Sequence, residues 1–161
     1  ASSKRIGDKY YAMVCPVMIN GDSPLFSVND VFNAIVIHGN MLGDAMFYGS
    51  GAGKLPTASA VVADVVDCAK NKGRNIMMSW SEEKLDLLQI DDVKSRFFVR
   101  VSGHAAERQS EIEELFGKVE IVAVPSLSEE FAFITGEITE QEYREKAEKL
   151  DGIQSRIRAR I

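Results

Sequence analysis

The chain has 161 residues, 45% of them hydrophobic and 27% charged, a globular composition that excludes a disordered tail or a fibrous repeat. Its net charge of −5 is uneven: residues 1–80 carry seven Lys/Arg against six Asp/Glu, residues 81–161 twelve against eighteen. An acidic second half lacks the basic stripe that nucleic acid requires, and no apolar run reaches the ~20 residues that span a bilayer. No secretory pattern opens the sequence, and a start on Ala1 is expected of a piece of a longer protein. Two separated cysteines, Cys15 and Cys68, give no disulfide framework and fit a reducing, cytoplasmic setting. Two histidines without a Cys/His cluster give no metal site.

In chain order, residues 9–19 (KYYAMVCPVMI) are β-branched and aromatic enough for a strand, with Pro16 marking an edge or bulge. Asn20 to Pro24 is turn chemistry. Residues 32–37 (FNAIVI) read as a buried strand, His38-Gly39-Asn40 as a turn, and 42–48 as the returning strand of a hairpin. A glycine-rich loop, 49–55, follows. Pro56 suits a helix start because its missing N–H has no intrahelical partner there. Ala58, Val61, Val62, Val65, Val66 and Ala69 then recur at helical spacing up to Lys70, with Gly73 as a stop.

Residues 74–94 read as a polar connector containing Met77, Met78 and Trp80, either a contact surface or a cover for the ends of a core. The remainder alternates cleanly: strand 96–102, helix 107–116, strands 119–124 and 130–135, helix 140–150, strand 153–161. Thr139 and Glu142 form a capping-box pattern at the second helix. In the last strand Ile153, Ser155, Ile157, Ala159 and Ile161 fall on one face, and Arg156, Arg158 and Arg160 on the other, where they could pair with Glu111, Glu113 and Glu114. This is the βαββαβ plan of ferredoxin-like domains. The expected fold class is α+β: a partial sheet with one long helix over residues 1–80, a connector over 81–94, and a βαββαβ domain over 95–161.

Gly49, Gly51 and Gly53 remove Cβ atoms from alternate positions, and the following helix presents free amides and a positive dipole end near Thr57, an anion-friendly surface. The run is not a phosphate-binding P-loop, since Lys54 is followed by Leu55 and position 48 is Tyr. Nor is it a dinucleotide fingerprint, being GxGxG without a βαβ unit around it. The residues alone leave open a ligand-facing loop, a general phosphate site, or a turn that only lets a helix pack closely.

Three motifs narrow this. Val28-Asn29-Asp30-Val31-Phe32-Asn33-Ala34, then Met46-Phe47-Tyr48-Gly49, then Gly51-Ala52-Gly53 with Pro56-Thr57-Ala58-Ser59-Ala60-Val61-Val62 and Asp64 resemble, in order and spacing, the closing part of the homoserine dehydrogenase catalytic region. Asp30 replaces the family's usual glycine. The resemblance implies that Gly53 lies beside a nicotinamide cofactor, NAD or NADP, with Gly51, Ala52 and Thr57 as neighbours. It implies no catalytic residue in this chain, because the family's nucleotide-binding fingerprint, carboxylates and lysines lie upstream. Such a piece is expected to be inactive alone.

Residues 95–161 resemble an ACT regulatory domain, which implies threonine feedback and pairing of copies. The Asp-x-Pro-Gly run of effector-binding members is replaced here by Ser102-Gly103-His104-Ala105, so Gly103, His104 and Ala105 are the effector candidates. The parent enzyme implied is an oxidoreductase of threonine, methionine and isoleucine biosynthesis, homo-oligomeric through its sheet and its ACT domains. The other reading is a stand-alone amino-acid-sensing ACT module without a catalytic role.

Overall fold

The computed structural model describes residues 1–75 and 77–161. Two compact units form, one from residues 1–19 with 84–161, the other from residues 20–83. The crossing at 83–84 falls in the expected connector. The crossing at 19–20 has no counterpart in the sequence reading, and a strand near the N-terminus creates it.

In the first unit the elements are β1 (Ser2–Ile6), β2 (Lys9–Met13), β3 (Val17–Ile19), β6 (Lys94–Ser102), α2 (Ala105–Phe116), β7 (Glu120–Val122), β8 (Glu130–Ile134), β9 (Ile138–Thr139), α3 (Glu140–Ala147) and β10 (Ile153–Arg160). The main sheet runs β3-β10-β6-β8-β7, with β9 also on β6. All pairs are antiparallel except β3 on β10. The expected βαββαβ order is present. Alternation sends Phe97, Val99 and Val101 of β6 to one face, where they meet Phe131 and Phe133 of β8. Ile112 and Phe116 of α2 and Tyr143 of α3 close over them, and Phe97, Phe133 and Ile112 are fully buried. Each such large side chain stabilises the fold by about 1.5–3 kcal/mol through removal of apolar surface from water.

The last strand differs from expectation. Ile153 pairs with Val101 and Ser155 with Arg100, so the register slips by one residue between them. One extra residue moves every later side chain to the opposite face. Ile153 therefore joins the helix-side core while Ile157 and Ala159 turn away. Arg156 and Arg158 point to the helix side instead. They do not meet the acids of α2; both pair with Glu140 at the start of α3. Their guanidiniums also lie over Phe97, and that of Arg156 over Tyr143 at 4.6 Å. Burial pushes the Tyr143 phenol up, and the nearby Arg156 opposes that shift.

Thr139 caps α3 as its spacing predicts. The Glu142 N–H donates to Thr139 Oγ1 at 3.0 Å and the Thr139 N–H donates to Glu142 Oε2 at 2.8 Å. The backbone N–H of Thr139 holds the Glu142 carboxyl below its usual value of 4.5. A depressed carboxyl pKa contributes stability above the unfolded-state value, lost as pH falls through the folded one. Thr139→Ala is expected to cost about 1 kcal/mol at pH 7. Glu142→Gln keeps the hydrogen-bond acceptor but loses the charge, so its stability deficit should be smaller at pH 3 than at pH 7. Urea titrations at the two pH values measure both effects.

The N-terminal segment is tied to this unit in two places. Pro16, which cannot donate to a ladder, separates β2 from β3, and β3 then pairs Val17 with Arg158 and Ile19 with Arg160. Upstream, Tyr10 of β2 donates its N–H to Asp86 and accepts from the Leu88 N–H, both at 2.8 Å. Residues 86–88 are thereby held in a short parallel ladder.

The second unit contains β4 (Phe32–Gly39), β5 (Gly43–Ser50) and α1 (Lys54–Lys70). β4 and β5 form the expected hairpin, in register from Phe32 opposite Ser50 to Gly39 opposite Gly43. The expected burial of residues 32–37 does not occur: Ile35 is 65% exposed and Ile37 52%. The stripe on α1 is likewise open, with no buried residue in the helix. Met77, Met78 and Trp80 are exposed and cover no core. Among the described residues no helix is long and apolar enough to cross a membrane.

Candidate functional site

The glycine run forms the step from β5 into α1. The helix begins at Lys54, two residues earlier than the position of Pro56 suggests, and Pro56 becomes its third residue. Gly53 is the N-cap, at φ 110° and ψ 163°. That region is open to glycine almost alone, because a Cβ would collide with the adjoining peptide groups. Gly53 offers no side chain to cap the helix. The amides of Lys54 and Leu55 lack intrahelical partners by position, and Pro56 has no N–H to leave. The first turn contains no acidic residue. Its dipole and the Lys54 ammonium both favour a negative group.

Thr57 has a local task. Its hydroxyl donates to the Gly53 carbonyl at 2.8 Å, and its N–H reaches the same oxygen at 3.2 Å. The threonine thus fixes the orientation of the Gly53 peptide and leaves no free hydroxyl proton for a ligand. Ala52 and Gly51 are exposed beside it. Among the candidate positions, the structure brings Gly51, Ala52, Gly53 and Thr57 together on one short stretch.

Asn33 is a site residue that sequence reasoning quoted only as part of a motif. It pairs with Gly49 across the hairpin, and its carboxamide underlies Gly51. A Cβ built on Gly51 stands 3.1 Å from Asn33 Cγ and overlaps its amide nitrogen. At Gly51 the neighbour is thus the tip of the exposed Asn33 side chain, which would have to swing aside for a larger residue, and no turn conformation is needed. The signal was an asparagine in the first motif opposite the glycine that ends the second.

Asp30 has φ 57°, the left-handed region, and is the one non-glycine residue in that state among those described. Aspartate tolerates it better than most residues, whose Cβ there costs roughly 1–2 kcal/mol. This accounts for the interchange with glycine in the first motif. Asp30→Val is expected to destabilise the hairpin unit by about 1–2 kcal/mol, and Asp30→Gly to leave it within about 0.5 kcal/mol. Thermal unfolding of the two variants separates them.

The second candidate loop lies in the other unit. Gly103 has φ 105°, and its N–H donates to the Glu129 carbonyl at 2.8 Å, so that amide is occupied. His104 is exposed and N-caps α2 through its backbone only. Ala105 opens the helix. Arg108 closes over the loop, donating to the Ser102 carbonyl at 3.1 Å while pairing with Glu111. The cation here belongs to a residue outside the Gly103–Ala105 set.

The family model of homoserine dehydrogenase matches residues 2–66, the span that holds the hairpin, the glycine run and most of α1. Over that span the chain is similar to the homoserine dehydrogenase family. The homoserine dehydrogenase of Corynebacterium glutamicum is 52% identical over 61 residues, covering 38% of this chain and 14% of that protein. The homoserine dehydrogenase of Synechocystis is 39% identical over 95 residues, covering 54% of this chain and 22% of that protein. The crystal structure of homoserine dehydrogenase from Thiobacillus denitrificans superposes with a TM-score of 0.75 at 23% identity, over 98% of this chain and 41% of that one. The Staphylococcus aureus homoserine dehydrogenase structure at pH 7.0 gives 0.66 at 24% identity, over 91% and 37%. The likeness of fold runs through both units, whereas the family model stops inside α1. The chain spans about a fifth of the length of the curated relatives it matches.

Proposed function

We propose that residues 20–83 form one wall of the nicotinamide-cofactor site of an enzyme that interconverts homoserine and aspartate semialdehyde. The observation that carries this reading is Gly53, exposed and in a glycine-only conformation, at the head of a helix with unpartnered amides and no acid in its first turn. Such a surface lets a large cofactor approach the backbone closely and favours its anionic portions. The bound dinucleotide supplies the hydride; this chain supplies shape and orientation. Gly51 keeps the loop down on Asn33, and Thr57 holds the Gly53 carbonyl away from the approaching group.

The open apolar surface supports the same reading. Val61, Val62 and Val65 on α1 are each more than half exposed, as are Ile35, Ile37 and Phe47 on the hairpin. A two-stranded hairpin is marginal alone in water, and contiguous exposed apolar surface marks a contact. The remaining part of the enzyme is the fitting cover for α1, and a second copy for the hairpin. NAD and NADP fit this wall equally.

The unit of residues 1–19 and 84–161 is the ACT-type regulatory part of this reading, with threonine as effector at the Ser102–Ala105 turn. Calorimetry of the full chain with threonine, repeated on Gly103→Val, tests that role.

The main proposal is tested by grafting. Residues 2–66 replace their counterpart in the Corynebacterium glutamicum enzyme, and homoserine-dependent reduction of NAD and NADP is measured. Retained turnover supports the assignment. A folded graft that binds neither dinucleotide refutes it. The 161-residue chain alone is expected to show no turnover, since hydride transfer requires both reactants held in register.

A further inference from the structure

We infer that the groove beside β10 at Pro16 binds a small oxyanion, a phosphate or a carboxylate group, through the guanidiniums of Arg156 and Arg158. The site lies wholly in the unit of residues 1–19 and 84–161. It does not depend on the reading of residues 20–83 as a cofactor wall.

The balance of charge comes first. Other arginines of this unit pair with one acid each, as Arg100 does with Glu130 and Arg144 with Asp91. At Glu140 two guanidiniums share a single acid, each through its Nη2 nitrogen. Among the described residues that carboxylate is the one hydrogen-bond or ion-pair partner of either group. A guanidinium carries five N–H donors in a rigid fork, so most donors of the pair are uncommitted and one positive charge is left over. Arg160, the next residue on the same face, adds a third cation and donates to the Tyr11 hydroxyl instead of an acid.

Shielding makes the surplus matter. The Arg158 side chain is 20% exposed and that of Arg156 36%, so water reaches both only in part. A charge drawn away from water is favourable only when it is paired. The two groups are also fixed in advance. Glu140, 5% exposed, anchors both, and the rings of Phe97 and Tyr143 hold Arg156. The ordering of long side chains that opposes binding is thus complete before a ligand arrives.

The same two arginines, with Pro16 and Ile157, line a groove of about 300 Å³. That is the small end of the range for ligand sites, which suits a compact group rather than a whole dinucleotide. The arginine fork matches the oxygens of phosphate or carboxylate in pairs. Arg158 stands opposite Phe97 of β6, whereas the candidate effector turn follows Ser102, so the groove and the turn are different sites.

Calorimetry and side-chain Nε–H resonances of the full 161-residue chain, at constant ionic strength, test the site with inorganic phosphate and with acetate. Saturable binding that shifts the Arg156 and Arg158 resonances is expected. Tighter binding of phosphate assigns a phosphate group to the groove, and tighter binding of acetate a carboxylate. Arg156→Gln is expected to weaken binding at least tenfold, and Arg160→Gln to leave it within about twofold. No saturable binding of either probe overturns the proposal. So does equal weakening in the two variants, the mark of unspecific charge. Circular dichroism checks that each variant folds. Where Arg156→Gln does not, Arg156→Lys keeps the charge without the fork and should weaken binding at least threefold; unchanged affinity then overturns the proposal. Neither dinucleotide nor turnover enters these readouts, so failure here is distinct from failure of the dehydrogenase reading.

Discussion

Glu140→Leu is expected to destabilise the unit of residues 1–19 and 84–161 by about 3 kcal/mol, towards the lower end of what loss of one buried ion-pair partner costs. Glu140 serves two guanidiniums, and its side chain is 7% exposed against 36% for Arg156 and 20% for Arg158. Removing it leaves two cations over Phe97 without a counter-charge. The partial exposure of Arg156 lets water relieve part of the loss, which is why the upper end of the range is not expected. The acid also stands in the first turn of α3, where it favours the helix dipole. A triple variant, Glu140→Leu with Arg156→Met and Arg158→Met, should recover most of the loss, since replacing a whole buried cluster by apolar groups is often neutral. Guanidinium chloride unfolding followed by circular dichroism measures each variant. A single-variant loss below about 1 kcal/mol shows that hydration, not Glu140, holds the two arginines.

Gly53→Val has the largest expected effect on function. In the graft described above, kcat/KM for the dinucleotide should fall by about 100-fold or more, the scale of a misplacement near 1 Å at a reacting centre. Two causes act together. A branched residue cannot hold φ 110° and ψ 163°, so the step into α1 must shift, at a cost of about 1–3 kcal/mol. Its side chain would also occupy the face that the proposed function assigns to the cofactor. Gly49→Ala is the matched control. A Cβ there meets nothing within 4 Å and its φ is not in the left-handed range, so activity should stay within about twofold. Steady-state kinetics at varied dinucleotide concentration decides the matter, and equal effects of the two substitutions would remove Gly53 from the site.

The unit of residues 1–19 and 84–161 was legible where local rules act alone. Alternation in residues 96–102 fixed which side of β6 is buried, and Thr139 with Glu142 marked the start of α3 to the residue. What escaped was non-local. Residues 17–19 are short and follow Pro16, and nothing in them announces a parallel partner more than 130 residues away. The slip between Ile153 and Ser155 defeats strict alternation, so Arg156 and Arg158 were assigned to the wrong face and the wrong acids. The run FNAIVI reads as buried because apolar β-branched residues normally are, but here it stays largely exposed. At the candidate site, three glycines in alternation drew notice to the loop. Their separate reasons, the Asn33 side chain for Gly51 and backbone conformation for Gly53, need coordinates. Asp30 could be noticed as a departure from a motif, whereas its left-handed φ could not.

The open stripe of α1 has a practical consequence. Cys68 is a free, exposed thiol, placed three residues after Val65 and so on the same side of the helix. A maleimide should label it readily in the 161-residue chain, and labelling should slow if another polypeptide covers that helix, as the proposed function requires. The polypeptide carries an intrinsic chemical gauge of whether α1 is covered, readable by intact mass without any added tag.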